Sequence, residues 1–94
     1  MTERQAWKTI AEAFETKPED RTDEQKRVTR EGICNASAAM RNMKCITGAL
    51  SGKIESIAMK ATRGLKSHPH LCDLRTPEGD AIRAAFCREQ ARKL

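Results

Sequence analysis

Apolar side chains recur along this chain with a helical period. Trp7, Ile10, Ala11 and Phe14 fall at i, i+3, i+4 and i+7, while Glu3, Lys8, Glu12 and Glu15 lie off that stripe. Thr2 and Gln5 form a capping-box pair ahead of it, and Pro18 predicts a stop near Thr16. Thr22 and Gln25 repeat the pair, with Asp23 and Glu24 placed where the helix dipole favours negative charge. A second, long helix is predicted from about Asp23 to about Cys45. Its seam of Val28, Gly32, Ala36, Ala39, Met43, Ile46 and Leu50 puts small residues first, which suits the close approach of another helix. Gly32 in a helix interior costs ~1 kcal/mol against Ala, so close packing or a bend is expected there.

Gly48, Ser51 and Gly52 mark a turn or a kink. Ser51 can cap a third helix that buries Ile54, Ile57, Ala58, Ala61 and Leu65 and stops at Gly64. Residues 66–75, which include Pro69, read as a loop pinned by Leu71 and Leu74. Thr76 as N-cap and Pro77 at the first helical position open the last helix. There Ile82, Ala85 and Phe86 are expected to face inward, and Arg88, Arg92 and Lys93 suit the C-terminal end. No strand pattern or repeat interrupts this reading. The expectation is an all-α, compact bundle of four helices, helix two long with a kink near Gly48–Gly52, in one domain over residues 1–94.

Composition adds an expectation about assembly. Only 38% of the 94 residues are hydrophobic, and a chain this short buries roughly 60–65% of its unfolded surface. A thinly stabilised protomer favours self-association, so a homo-oligomer is expected. The longest uncharged stretch, Gly32 to Met40, is nine residues, against the ~20 that span a bilayer. No membrane contact is expected. The cysteines Cys34, Cys45, Cys72 and Cys87 are widely spaced and follow no export signal, which predicts reduced thiols and a cytoplasmic location.

The formal charge is +5, and the excess lies in the middle of the chain. Residues 32–72 set Arg41, Lys44, Lys53, Lys60, Arg63 and Lys66 against Glu55 alone. On a helical wheel Lys53, Lys60, Arg63 and Lys66 lie opposite the apolar stripe of the third helix. Such a face either keeps the protein dissolved or binds an anion. Nucleic-acid binding wants denser charge and aromatic platforms, whereas Trp7, Phe14 and Phe86 all sit on apolar stripes and read as core. A small phosphorylated nucleotide fits better, because a symmetric oligomer repeats a few cations around one pocket. The candidate ligand-binding residues are Arg27, Arg30, Lys60 and Arg63 for phosphate, Asn35 for a base edge, and the helix start at Thr76 as a further anion site. The Trp7 ring is a stacking candidate if exposed.

Other chemistry finds less support. His68, His70 and Cys72, with Cys87 or Asp73, are zinc-ligand types, but no CxxC or HExxH spacing organises them, so no metal or cofactor is expected. Cys34 or Cys87 with His68 or His70 is an unspecific nucleophile–base pairing. The Glu19, Asp20, Asp23 and Glu24 group is explained by capping, and no P-loop, GxSxG or GxGxxG occurs. A non-enzymatic protein is expected.

Three segments, AWKTIAEAF (Ala6 to Phe14), REGICNA (Arg30 to Ala36) and TPEGDAIRAAFC (Thr76 to Cys87), carry a resemblance. Together they resemble small accessory proteins of tailed bacteriophages with a G-[IL]-C-x-A and a T-P-E-G-x-x-x-R-x-x-F-C pattern. The charged stretch from Lys17 to Arg27 departs from that family's more aromatic insert. The resemblance implies a phage origin, hence the host cytoplasm, and a compact helical fold. The stretch from Pro18 to Met40, an acidic turn followed by a basic, Ala-rich helix, is similar to the helical hairpin of phage sponge proteins that sequester cyclic nucleotides of bacterial antiviral systems. That likeness implies counter-defence by capture of a nucleotide immune signal. The alternatives are a helical protein–protein inhibitor of a host defence enzyme and a small nucleic-acid-binding phage protein.

Overall fold

Two capping boxes set the first half of the fold. In the computed structural model, which describes residues 1–64, 71 and 77–94, helix α1 spans Glu3–Glu15. Thr2 Oγ1 accepts from the Gln5 N–H at 3.2 Å, and Gln5 Oε1 accepts from the Thr2 N–H at 2.8 Å. The chain leaves α1 at Thr16 as predicted, makes a 3-10 turn at Pro18–Asp20, and enters α2, Asp23–Val28, through the second box at Thr22 and Gln25. Gln25 does two jobs: its Oε1 closes the box, and its Nε2 donates to Thr16 Oγ1 at 3.2 Å, tying the end of α1 to the start of α2.

The long second helix is broken. Thr29 turns both its N–H and its hydroxyl onto the Gln25 carbonyl, at 2.9 and 2.8 Å, and ends α2. Gly32, expected inside a helix, is instead the extended N-cap of α3, Ile33–Asn42. The Ile33 N–H donates to the Leu71 carbonyl at 2.6 Å, so a distant segment supplies an acceptor that an unbroken helix would have supplied itself. The break moves the buried face of α3 to Ile33, Ala36, Ser37 and Met40, while Ala39 and Met43 of the expected seam are only half-buried.

The turn expected at Gly48–Gly52 lies one step earlier. Lys44 adopts the left-handed conformation (φ 62°). The Cys45 N–H donates to the Met40 carbonyl and the Lys44 N–H to the Arg41 carbonyl, each at 2.9 Å, which is a Schellman stop. Helix α4 then runs as one continuous element, Gly48–Gly64. Thr47, not Ser51, is its cap: Thr47 Oγ1 accepts from the Leu50 N–H at 3.1 Å. Ser51 is buried inside the helix, its hydroxyl 3.4 Å from that of Ser37 on α3.

Helix α5, Pro77–Lys93, begins where the sequence places it. Its buried face differs. Ala85, expected inward, is exposed, Ile82 is half-buried, and the buried positions include Arg83, Ala84, Phe86, Cys87 and Ala91. Arg83 turns inward because Asp80, one turn earlier, accepts from its Nη1 at 3.0 Å and the Phe14 ring lies 5.6 Å beneath its guanidinium.

The described residues thus form five α-helices rather than four, with no strand among them. Packing is most extensive between α1 and α5 and between α3 and α4. One apolar cluster joins all five helices, with Trp7 set edge-on to Phe86 at a ring separation of 5.9 Å. Leu71 enters that cluster fully buried, as expected. Leu65, Lys66, His68, Pro69, His70, Cys72, Asp73, Leu74 and Thr76 lie outside the described residues.

Candidate functional site

The break between α2 and α3 creates a concave surface that an unbroken helix would lack. Arg27 projects from the last turn of α2 and Arg30 from the connecting segment; both are exposed. Asn35, Ala38, Ala39, Asn42 and Met43 follow along α3 at spacings that keep them on one face. Together these seven residues line an open groove of about 260 Å³. The alanines and Met43 make an apolar lining, the two asparagines offer neutral donor–acceptor amides, and the two arginines supply charge.

No other described side chain holds the two arginines. Among the described residues neither Arg27 nor Arg30 takes part in an ion pair or side-chain hydrogen bond. Other cations are engaged: Arg21 with Asp80, Lys53 with Glu3, Arg88 with Glu15 and Arg92 with Glu89. Helix α3 starts at a glycine, which has no side chain to cap it, and the Leu71 carbonyl takes the first of its free N–H groups, that of Ile33. Two exposed guanidinium groups with no ion-pair partner among the described residues suit a phosphate, which each can grip with two parallel N–H donors.

Arg27, Arg30 and Asn35, three of the expected ligand residues, therefore meet in one groove. Lys60 does not join them. It lines a second, more open depression of about 390 Å³ on α4 with Gly52, Glu55, Ser56 and Met59. Glu55 opposes its charge there, and Lys53 is held 2.6 Å from Glu3. The cationic face expected on the third helix is thus partly neutralised. Arg63 lies in the last turn of α4, and its side chain, like Thr76, is outside what the structure describes. Trp7 is fully buried with its indole N–H 3.3 Å from Glu3 Oε2, which removes it as a stacking surface. Asn42 went unnoticed in the sequence, although it stands seven residues after Asn35 with Ala38 and Ala39 between, a pattern that shares one helix face.

The cysteines divide by environment. Cys87 is buried, and desolvation pushes its thiol far above the usual range, against a weaker opposing pull from Arg88. Cys45 is exposed and Cys34 half-buried. No group of three or more metal-binding side chains occurs among the described residues, and none of the described helices is long and apolar enough to cross a membrane.

Neither a protein-family model, nor a curated protein, nor a solved structure matches this chain.

Proposed function

We propose that this chain is a non-enzymatic phage counter-defence protein that oligomerises in the host cytoplasm and sequesters a phosphorylated nucleotide immune signal. The observation that carries the reading is the meeting of Arg27, Arg30 and Asn35 in one groove, with neither guanidinium group in an ion pair among the described residues. Exposed cations that form no ion pair among the described residues, although Asp23 and Glu31 stand near them in the sequence, are available to a ligand. The amides beside them present edges that a base can use.

Size supports assembly. A groove of about 260 Å³ is below the roughly 300–1,000 Å³ of sites that enclose a small molecule, whereas two such grooves facing one another enter that range. A two-fold arrangement would also double the guanidinium groups around the ligand. The described surface offers large exposed apolar side chains only at Met1 and Leu94, so a pairing of grooves would be largely polar and ligand-dependent.

Light scattering with and without cyclic di- and tri-nucleotides and ADP-ribose derivatives tests the reading. The expected result is an oligomer whose mass is set or stabilised by one member of that panel at micromolar concentration. A protomer indifferent to every member overturns it. Capture of a stoichiometric host protein without nucleotide would favour the inhibitor reading, and an affinity for DNA or RNA falling steeply with salt would favour nucleic-acid binding.

A further inference from the structure

We propose that the solvent-facing side of α4 is a self-association surface, on which a second copy of this chain lays its own α4 in parallel. The inference supplies a contact surface for the assembly in the reading above and rests on neither the groove nor a nucleotide. Helix α4 turns Ser51, Ile54 and Ala58 into the protein and packs on α3. On its other side Gly52, Glu55, Ser56 and Lys60 are exposed and, with the half-buried Met59, line the open depression of about 390 Å³.

Gly52 is the first sign of a partner. Glycine is the poorest helix former after proline, yet Gly52 stands inside α4. A Cβ there would meet nothing within 4 Å, so the packing of the protomer gives no reason for the missing side chain. The approach of another backbone from outside does. Ser56, one turn further on, keeps the same face low.

The charges choose the occupant and its direction. At about 100° per residue, Glu55 and Lys60 flank the line of Gly52, Ser56 and Met59 on opposite sides. Neither side chain forms an ion pair among the described residues. When two copies pack in parallel about a two-fold axis along the helices, the Glu55 flank of each faces the Lys60 flank of the other. The two positions are five residues apart, about 7.5 Å along the axis at 1.5 Å per residue. Two long side chains cover that span, and symmetry makes the pair twice. An antiparallel arrangement would set glutamate flank against glutamate flank and lysine against lysine. Lys53, at the outer edge of the lysine flank, is already held by Glu3.

Sedimentation equilibrium of the full chain without nucleotide, from about 1 µM to about 1 mM, tests the surface. The expected result is a dimer forming within that range. Gly52→Lys puts like charges of the two copies side by side at the axis and should weaken the dimer at least about tenfold. Glu55→Lys and Lys60→Glu should each weaken it at least about threefold, and the double variant Glu55→Lys/Lys60→Glu should return to within about twofold of the wild type. All three positions are exposed, and thermal melts at the dilute end verify that folding is unchanged. A monomer throughout the range, a dimer indifferent to these variants, or a double variant as weak as the single ones overturns the inference. Assembly that appears only with nucleotide overturns it as well and leaves nucleotide capture standing. A dimer that follows the expected pattern but binds no nucleotide upholds this surface and overturns capture.

Discussion

Arg21 reaches Asp80 across the molecule, Nη2 to Oδ2 at 3.2 Å, and fastens the segment after α1 to the first turns of α5. The same guanidinium donates to the carbonyls of Ala13 and Phe14, at 3.0 and 3.3 Å, which the end of α1 leaves without intrahelical partners. Both side chains are nearly out of solvent, at 3% and 13% exposure. Removing Arg21 leaves Asp80 with Arg83 and takes the donors from two carbonyls, at about 1–3 kcal/mol for each buried group left unsatisfied. Arg21→Ala should therefore lose at least about 2 kcal/mol in urea unfolding. Arg21→Lys should recover little, because an ammonium cannot meet three acceptors in the plane of a fork. A loss below about 1 kcal/mol for Arg21→Ala would contradict this role.

Lys44 holds a backbone conformation that costs an L residue about 1–2 kcal/mol. Glycine adopts it freely but gives up more entropy on folding, about 0.4–1 kcal/mol. Lys44→Gly should thus be mildly stabilising, by roughly 0.5–1 kcal/mol, read as a higher urea midpoint at unchanged slope. A destabilised variant would place the end of α3 elsewhere.

Thiol reactivity follows burial. An aromatic disulfide reagent should label Cys45 before Cys34 and leave Cys87 unlabelled until the chain unfolds, since the Cys87 thiolate is strongly disfavoured in the core. Peptide mapping by mass spectrometry after timed quenching reads the order. Rapid labelling of Cys87 under native conditions would mean that α5 opens readily.

Two carboxylates make the fold acid-sensitive. Lys53 beside Glu3, and Arg88 beside Glu15, hold those carboxyls below their ordinary range. A depressed folded-state pKa contributes stability that is fully present above the unfolded value, near about 4.3, and is lost as pH falls through the folded value. Glu15 is 44% exposed, so solvent screening keeps its share below about 1 kcal/mol. Glu15→Gln should lower stability slightly at pH 7 and flatten the acid limb below about pH 4.3; high salt should do the same to the wild type. Identical acid limbs for variant and wild type would show that the pair contributes nothing.

Helix starts were legible wherever chemistry is local. Thr2 with Gln5, Thr22 with Gln25, and Pro77 at the head of α5 mark their positions through side-chain-to-backbone geometry that three or four residues settle. The aromatic core was legible for the same reason: Trp7, Phe14 and Phe86 sit on apolar stripes and are buried. The break at Gly32 was not, because the apolar spacing from Val28 to Ala39 continues across it, and the acceptor for Ile33 is supplied by Leu71. Arg83 could not be read as core from its charge; Asp80 and the Phe14 ring make its burial tolerable. Half of the candidate site shared this limit. Arg27, Arg30 and Asn35 converge only because α2 and α3 are separate helices, and Lys60 stays apart on α4.

Calorimetric titration of the wild type and the Arg27→Ala/Arg30→Ala variant with the cyclic nucleotide and ADP-ribose panel tests the central claim most directly. Both arginines are exposed and form no ion pair among the described residues, so the variant should melt like the wild type. At least one nucleotide should bind the wild type at micromolar concentration or tighter and bind the variant at least a hundredfold more weakly. Equal binding by both proteins, or binding by neither, would contradict capture of phosphate at this groove.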